Sequence, residues 1–448
     1  MTSTFTTRLR QLGEAEAVVN HDTVATYSAL AERVSRWTDR LPRDGIRRSG
    51  VVALETVRGI DAYAALIALV ELGAIVVPLA GLPSAKRAEF HEIAQVESVV
   101  SIEEGGWRVR PSTGRTATHP LYARLREDGG RAGLVLFSSG TTGRSKASLL
   151  DFEALLTRYG GHGRPRRTLT FLNLDHIGGV NTLFHTLGSG GTVVTALDRS
   201  PDGVLGAVAA HRVNVLPTTP TFLNMVLISG AHTRHDLSSL ELITYGTEPM
   251  PEHTLRRLAR ELPRIRLKQT YGLSELGILP TKSRDDGSLW MKLGSTGFEH
   301  KIIDGVLWIR SDTAMLGYLN APAAFDADGF FNTQDVVETD GDYVRVLGRR
   351  TEIINVGGEK VYPSEVESVL LELANVADVV VTGAPNPVTG MVVKATIRPV
   401  EQEPPEEFAR RARRHCRERL EPFKIPAVVQ FTDAPQHSER FKKCRVVS

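Results

Sequence analysis

The chain has 448 residues, and its 41% hydrophobic and 24% charged residues are typical of a globular protein, which excludes a disordered or fibrous chain. This length exceeds what one hydrophobic core usually organises and predicts two or three domains. The formal net charge of +2 is too small to indicate nucleic acid or a membrane as a partner, and we expect neither.

Cysteine usage and the N-terminal segment indicate the compartment. The two cysteines, Cys416 and Cys444, lie late in the chain without metal-ligand spacing, so neither a disulfide framework nor a zinc site is expected. The first residues contain no apolar core long enough for a signal peptide, and no uncharged apolar run reaches membrane-spanning length. We therefore expect a cytoplasmic protein.

Helices and short apolar strands alternate up to about residue 300. Apolar residues at helical spacing predict helices over residues 27–41 and 61–72. Buried strands are predicted over residues 51–54, 74–79, 133–137, 168–173, 192–196, 213–216 and 240–245. This alternation predicts α/β layers with largely parallel sheets.

The pattern changes after this region. Strands at 306–310 and 343–347, separated by turn-rich segments, predict a small β-rich region. Beyond residue 350, a strand at 353–356, a Gly-Gly turn, a helix from Ser364 and a further strand at 377–382 predict an independent α+β unit. We therefore predict an α/β protein with a large N-terminal domain (residues 1–350) of layered sheets plus the β-rich region, and a small, mobile α+β C-terminal domain (residues 351–448).

A loop rich in glycine and hydroxyl residues follows the strand predicted at 133–137 and ends at Lys146. Glycines let backbone N–H groups approach an oxyanion, hydroxyls add donors, and the lysine adds positive charge, which together suit a phosphate. The loop is not a Walker A loop, because Arg144 and Ser145 stand between its last glycine and the lysine. Taken alone, the segment could equally be an ordinary surface loop.

Residues 137–146, Phe-Ser-Ser-Gly-Thr-Thr-Gly-Arg-Ser-Lys, resemble the signature loop of the adenylate-forming superfamily, which includes acyl- and aryl-CoA ligases, nonribosomal peptide synthetase adenylation domains and firefly luciferase. Further matching segments follow in the family's order over roughly residues 26–445. The resemblance implies attack of a small carboxylic acid on ATP to give an acyl-adenylate and pyrophosphate. It implies ATP and Mg²⁺, with CoA or an acyl carrier protein as the acceptor of the acyl group.

Two more segments resemble the family's nucleotide motifs. They are Gln-Thr-Tyr-Gly-Leu-Ser-Glu at 269–275 and Gly-Phe-Phe-Asn-Thr-Gln-Asp at 329–335, in which Gln334 replaces the family's glycine. Tyr271 would lie against adenine, Glu275 would hold magnesium, and Asp335 would accept hydrogen bonds from the ribose hydroxyls. The resemblance assigns the following residues to the nucleotide: Ser138, Ser139, Gly140, Thr141, Thr142, Gly143, Lys146, Gly246, Thr247, Glu248, Tyr271, Ser274, Asp335, Arg349 and Lys442.

The segment 438–445, Ser-Glu-Arg-Phe-Lys-Lys-Cys-Arg, is similar to the family's catalytic-lysine loop. The resemblance implies that Lys442 stabilises charge on the reacting phosphorus and the leaving pyrophosphate, with Lys146 and Glu275 as the other catalytic groups. The alternative alignment uses Lys443. A basic tail without catalytic function is the remaining alternative.

The segment 174–179, Leu-Asp-His-Ile-Gly-Gly, resembles the family's histidine segment at the mouth of the acyl pocket. A lone histidine is more often structural, so a lining role is expected for it. The predicted substrate pocket comprises His176, Gly178, Asn181, Thr221, Gly272 and Leu273. The resemblance also implies a domain rotation about a hinge at Thr351, which brings Gly357 and Gly358 to the site for the second step.

Departures from the family's pattern leave the acceptor open. Phe441 stands where the family has glycine, and we expect its bulk to restrict the lysine loop. An acyl- or aryl-CoA ligase is the first hypothesis. The second is an adenylating enzyme of secondary metabolism that passes the acyl group to a carrier protein or an amine, or activates nitrite for diazotisation. The third is an inactive, regulatory nucleotide-binding homologue, against which the retained Lys146, Glu275, Asp335 and Lys442 argue.

Overall fold

The computed structural model describes residues 2–21, 23–56, 59–103, 106–112, 116–127, 129–138, 145–160, 163–294, 296–322, 325–438 and 441–445. The α-helices are α1 Thr2–Gln11, α2 Tyr27–Arg43, α3 Ile60–Leu72, α4 Ser84–Ile93, α5 Pro120–Glu127, α6 Phe152–Leu156, α7 Ile177–Gly188, α8 Pro201–Ala210, α9 Pro220–Ser229, α10 Glu252–Glu261, α11 Pro363–Leu370 and α12 Pro405–Arg417. The strands are β1 Glu16–Asn20, β2 Thr23–Thr26, β3 Val51–Glu55, β4 Ile75–Leu79, β5 Ser98–Glu103, β6 Gly106–Pro111, β7 Gly133–Ser138, β8 Lys146–Asp151, β9 Arg167–Thr170, β10 Thr192–Thr195, β11 Val215–Thr218, β12 Leu242–Tyr245, β13 Arg266–Gln269, β14 Tyr271–Leu273, β15 Gly277–Leu279, β16 Thr281–Ser283, β17 Met291–Leu293, β18 Phe298–Ile303, β19 Val306–Ser311, β20 Gly317–Tyr318, β21 Phe331–Asp340, β22 Tyr343–Arg349, β23 Ile354–Val356, β24 Glu359–Val361, β25 Val376–Asn386, β26 Gly390–Pro399 and β27 Val428–Phe431.

Two seven-stranded sheets form the larger part of the molecule. The first has the order β13-β12-β11-β9-β10-β1-β2, and its pairs are parallel except for the antiparallel edge pair β1–β2. The second has the order β20-β8-β7-β4-β3-β5-β6, with parallel pairs at its centre and antiparallel pairs at both edges. The predicted α/β fold with layered sheets is confirmed.

Helix α3 lies between the two sheets. Its sequence is apolar on all sides, and every residue from Ala62 to Val70 is buried, as expected of a helix covered on both faces. The cluster that contains α3 includes Val18 of the first sheet and Val52 of the second. Gly73 ends the helix with a φ of 77°, a left-handed conformation in which glycine carries no side-chain clash.

The β-rich region and the C-terminal part follow these layers. An antiparallel sheet has the order β16-β17-β22-β21-β19-β18. The chain then passes through a 3₁₀ turn at Arg350–Glu352 into a sheet of order β24-β23-β26-β25, with β27 beside β26. Side chains such as Val381, Ile397 and Phe408 form a separate hydrophobic cluster there. The division at residue 350 stays a prediction, and this separate core supports it.

Each helix and strand predicted from the sequence has a counterpart in the structure, but some of the observed ends differ from the predicted ones. The strand predicted at 168–173 ends at Thr170, before the turn that leads to α7. The strand predicted at 377–382 continues to Asn386, because the antiparallel partner β26 extends the pairing as far as Asn386 with Gly390. Within the described ranges, no helix is both long enough and apolar enough to cross a bilayer.

Candidate active site

A β-hairpin formed by β7 and β8 carries the predicted phosphate loop. Ser138 and Lys146 are paired across its open end. Because β7 runs parallel to β4, the loop leaves the sheet at its carboxyl edge, where α/β proteins usually bind ligands. The predicted loop residues Ser139, Gly140, Thr141, Thr142 and Gly143 lie outside the described residues.

Asn320 fixes the second strand of this hairpin, a role that the sequence motifs did not indicate. Its side-chain amide donates to the Ser145 carbonyl oxygen at 2.8 Å and accepts from the Ala147 N–H at 3.0 Å. Neighbouring Lys146 lies with its Nζ 5.2 Å from the ring centre of Tyr318. The charge at the end of the predicted phosphate loop is therefore held by contacts from a distant segment.

Tyr318 links this lysine to the predicted magnesium ligand. Its hydroxyl donates to Oε1 of Glu275 at 2.6 Å. Burial and the negative charge of Glu275 raise the pKa of Tyr318, so the phenol stays a neutral donor. Among the described residues, no group of three or more His, Cys, Asp or Glu side chains could hold a metal ion by itself. One carboxylate suits Mg²⁺ that arrives with substrate phosphates, because such sites use one or two carboxylates.

Tyr271, Asp335 and Arg349 form a second group. The Tyr271 hydroxyl donates to Oδ2 of Asp335 at 2.5 Å, and Nε of Arg349 lies 3.5 Å from Oδ1 of the same carboxylate. Asp335 and Arg349 face each other in the pairing of β21 with β22. Burial raises the pKa of Asp335, against the lowering effects of Arg349 and Tyr271. The pairing of the consecutive strands β21 and β22 thus brings Asp335 and Arg349 together, and the hydrogen bond from Tyr271 adds a residue from a separate motif.

Lys442 joins this second group from the C-terminal part of the chain. Its pKa is lowered by burial and by the positive charge of Arg349, while Glu248, Glu352 and Asp335 act in the opposite direction. These four groups are its electrostatic neighbours. These charges are close enough to Lys442 to shift its pKa, and they include Glu352, which lies in the turn after Arg349 and which the sequence motifs did not indicate.

The Lys443 side chain points away from this second group and into the C-terminal part of the chain. Its Nζ donates to the Val379 carbonyl oxygen at 2.7 Å and lies 3.3 Å from Oε2 of Glu367 and 3.6 Å from Oδ1 of Asp378. Arg445 also pairs with Glu367, at 2.8 Å. These contacts lie within the C-terminal part of the chain and give Lys443 a structural environment.

Glu367 is the centre of this buried network. Its shifted pKa predicts that the stability of the fold depends on pH. Burial alone would raise its pKa, but Arg445 and Lys443 outweigh burial and hold the pKa below its usual value. Since the folded pKa is lower than the unfolded value of about 4.3, the stabilisation is present above that value and is lost as pH falls through the folded pKa. We expect Glu367→Gln to lower the free energy of unfolding by about 3–5 kcal/mol at pH 7, because it leaves buried cations without their partner.

Denaturant unfolding at several pH values measures this effect. The difference between wild type and Glu367→Gln should shrink below about pH 4. The exposed Glu359 of the same part of the chain supplies the matched control, Glu359→Gln, which should cost little. Equal unfolding energies for wild type and Glu367→Gln at pH 7 would contradict the network.

The loops that follow β11 and β12 contain further predicted residues. Glu248, predicted at the nucleotide, accepts from two backbone N–H groups, that of Thr221 at 2.8 Å and that of Lys443 at 3.0 Å. Thr247 has a φ of 75°, and its Oγ1, like that of Thr221, is buried without a hydrogen-bond partner in the described part of the chain. Gly246 packs so closely on Thr270 that a Cβ would lie 2.6 Å from its carbonyl oxygen. The two hydroxyls can serve a bound polar ligand.

The predicted acyl-pocket residues are distributed over three elements, the helices α7 and α9 and the strand β14. His176 is the N-cap of α7, and its Nδ1 accepts from the Gly178 N–H at 3.0 Å, while Asn181 lies half-buried on the same helix. Gly272 packs against β15, where a Cβ would meet Ile278 at 2.5 Å. Leu273 packs against the main core. His176 thus caps α7, and its role in lining the pocket stays a prediction.

The remaining predicted residues are at turns. Ser274 lies half-buried in the turn between β14 and β15. Thr351 is exposed in the 3₁₀ turn after β22, and Gly357 and Gly358 form the exposed turn between β23 and β24, with φ of 61° and 97°. Lys442 is therefore half-buried, while the Gly-Gly turn faces solvent.

Comparisons with known proteins show which proteins the chain resembles in sequence and in fold. The family described as AMP-binding enzyme matches residues 5–319, and the AMP-binding enzyme C-terminal domain matches residues 365–442. A Mycobacterium tuberculosis (strain ATCC 25618 / H37Rv) protein named 3-[(3aS,4S,7aS)-7a-methyl-1,5-dioxo-octahydro-1H-inden-4-yl]propanoyl:CoA ligase is 28% identical over 95% of this chain and 93% of its own length. A feruloyl-CoA synthase from Amycolatopsis sp is 28% identical over 95% of this chain and 94% of its own. The crystal structure of an anthranilate CoA ligase in complex with anthranoyl-AMP covers 98% of this chain and 95% of its own, with a TM-score of 0.84 at 21% identity.

Proposed function

The chain belongs to the AMP-binding enzyme family, and from that premise we propose that it is an AMP-forming ligase that activates a carboxylic acid as its acyl-adenylate and transfers the acyl group to CoA. The observation that carries the proposal is the attachment of the residues on either side of Lys442 to Thr219 and Glu248, with Arg349 and Asp335 among the charges that act on Lys442. The names of the relatives, which are CoA ligases and synthases, support CoA as the acceptor.

In the first step, an oxygen of the substrate carboxylate attacks the α-phosphorus of ATP. The bond between that phosphorus and the oxygen bridging to the β-phosphate breaks, and pyrophosphate leaves with the electron pair. Negative charge grows on the phosphoryl oxygens and the leaving group. Lys442, Arg349 and Lys146 supply the positive charges that stabilise it, and their fixed positions make this stabilisation effective.

The nucleotide is held by the residues around Asp335. We propose that the Asp335 carboxylate accepts hydrogen bonds from the ribose hydroxyls and that the Tyr271 ring lies against adenine, while its hydroxyl keeps Asp335 in place. Bound Mg²⁺ would neutralise phosphate charge. Glu275 would contribute an oxygen to it, oriented by the Tyr318 hydroxyl.

In the second step, the CoA sulfur attacks the acyl carbon, the bond from that carbon to the phosphate oxygen breaks, AMP leaves and the thiol proton is released. We propose that the C-terminal part rotates about Thr351 for this step and that the Gly357–Gly358 turn replaces Lys442 at the site. Both residues have a left-handed backbone that glycine adopts without strain, and because they are glycines the turn presents no side chain there.

Release of pyrophosphate and AMP tests the proposed function. A panel of aromatic, aliphatic and amino acids is supplied with ATP and Mg²⁺, with and without CoA, and with nitrite as an added co-substrate. We expect one class of acid to support pyrophosphate release and CoA to increase AMP release. Pyrophosphate release that responds to an amine, a carrier protein or nitrite but not to CoA would reject CoA as the acceptor. ATP binding without pyrophosphate release from any acid would favour an inactive nucleotide-binding homologue.

A further inference from the structure

Phe441, directly before Lys442, has an unusual backbone conformation. Its φ is 51°, in the left-handed region that a bulky side chain rarely occupies. The Phe441 N–H donates to the Ser438 carbonyl oxygen, and the Ser438 N–H donates to the Lys442 carbonyl oxygen, both at 2.9 Å. A backbone conformation of this kind persists only where surrounding contacts stabilise it.

Those contacts come mainly from the large N-terminal part of the chain. The Phe441 ring lies 5.0 Å from the ring of Phe171 and 5.5 Å, edge to face, from that of Phe222. The Arg199 guanidinium lies 4.7 Å from its centre, and the His437 ring stacks on it at 5.3 Å. Phe171 and Phe222 are themselves buried in a hydrophobic cluster that the first sheet forms with helices α8, α9 and α10, and the partly buried Phe441 ring packs against that cluster. Aromatic pairs and a cation over a ring both stabilise such a contact.

Hydrogen bonds hold the backbone on both sides of Lys442. The hydroxyl of Thr219 donates to the Phe441 carbonyl oxygen at 2.8 Å. The Lys443 N–H donates to Glu248, whose second carboxylate oxygen accepts from the Thr221 N–H. The residues before and after Lys442 are therefore both attached to the start of α9 and the loop after β12.

We propose that Phe441 is a positioning residue: its ring, seated between Phe171, Phe222 and Arg199, anchors the loop that places Lys442 at the site and favours the adenylate-forming arrangement over the arrangement for the second step. This inference rests on the proposed function, because it concerns the two steps of that reaction. A glycine at this position could take the same backbone conformation but would contribute no ring contact.

The anchor has a kinetic consequence. Lys442 can leave the site only if the Phe441 ring leaves its aromatic contacts and the hydrogen bonds to Thr219 and Glu248 break. Removing an apolar ring from a buried site exposes its surface to water, which opposes the motion. The adenylate therefore accumulates on the enzyme, and the second step is slow relative to the first.

Hydrogen exchange of the full chain without substrates tests the anchor directly. The variants are Phe441→Ala and Phe441→Gly, and the control is Phe423→Ala, which removes a partly buried ring that packs on the C-terminal core. We expect both Phe441 variants to speed exchange of the Lys443 amide by about tenfold or more, because that amide donates across to Glu248. The control should leave it unchanged. Exchange at the wild-type rate in both Phe441 variants would overturn the proposal.

Single-turnover kinetics give the second measurement. With an acid that the panel identifies, Phe441→Ala should lower the rate of pyrophosphate release by about tenfold while ATP affinity is kept, since Lys442 is misplaced rather than removed. The ratio of the second-step rate to the first-step rate should rise. A fall in both rates by the same factor would overturn the preference between the two steps. Faster exchange in a chain that releases no pyrophosphate with any acid would support the anchor and overturn the proposed function alone.

Discussion

The variant Lys442→Ala is expected to release pyrophosphate at least about 100-fold more slowly than the wild type, because it removes a cation that stabilises charge developing in the transition state. ATP affinity should change little, since Asp335, Tyr271 and Arg349 supply the proposed nucleotide contacts. Acid-dependent pyrophosphate release at saturating ATP measures the rate. Calorimetric titration with ATP measures the affinity.

Lys443→Ala is the matched control, because it removes the adjacent charge on the same loop. We expect it to lower the free energy of unfolding by about 3–5 kcal/mol, since Glu367 and Asp378 lose a buried partner. At a temperature where it stays folded, it should retain much of the first-step rate. Normal release by Lys442→Ala, with a folded but inactive Lys443→Ala, would assign the catalytic role to Lys443 instead.

Asp335→Asn is expected to weaken ATP binding by about tenfold or more, because a charged acceptor of hydrogen bonds is replaced by a neutral amide of the same size. The substitution also removes the negative partner of Arg349. Calorimetry on protein shown to be folded by circular dichroism gives the dissociation constant. The effect should appear in affinity for ATP and also for AMP, because both carry the ribose.

Asp340→Asn provides the control for this change. Asp340 lies on the same strand β21, but its exposed carboxylate pairs with Arg284 at 2.7 Å on the surface. It should leave ATP affinity unchanged. Equal ATP affinity for Asp335→Asn and wild type would reject the ribose contact and leave Asp335 as a structural partner of Tyr271 and Arg349.

The family and the motif order were recognisable from the sequence because these signals are local. The helix at 27–41, the strands at 51–54 and 133–137 and the loop ending at Lys146 are each encoded in one short segment. The family comparisons confirm the resemblance, and the structure confirms the layered fold. The roles of Lys442, Glu275 and the nucleotide residues stay predictions.

We predict that Phe441 restricts the lysine loop, but the structure gives a different physical reason for that restriction. The sequence alone predicts that a bulky side chain at position 441 prevents the backbone conformation that glycine allows. Phe441 nevertheless has a φ of 51°, and Gln334, where the family also has glycine, has a φ of 62°. Both residues keep the glycine-like conformation. The restriction on the lysine loop comes from the ring contacts with Phe171 and Phe222, which no local pattern could show.

The sequence by itself determined which chemical groups are available and in which order, because strand, turn and loop signals depend on near neighbours. Only the tertiary structure decided which of these groups lie close together and which partners each side chain has. It separates Lys442, beside Asp335, from Lys443, beside Glu367, although a register shift of one residue leaves the motif nearly unchanged. The direction of each side chain depends on partners far away in the chain, such as Thr219, which lies 222 residues before Phe441. Packing between such segments sets these directions, and one-dimensional spacing does not contain them.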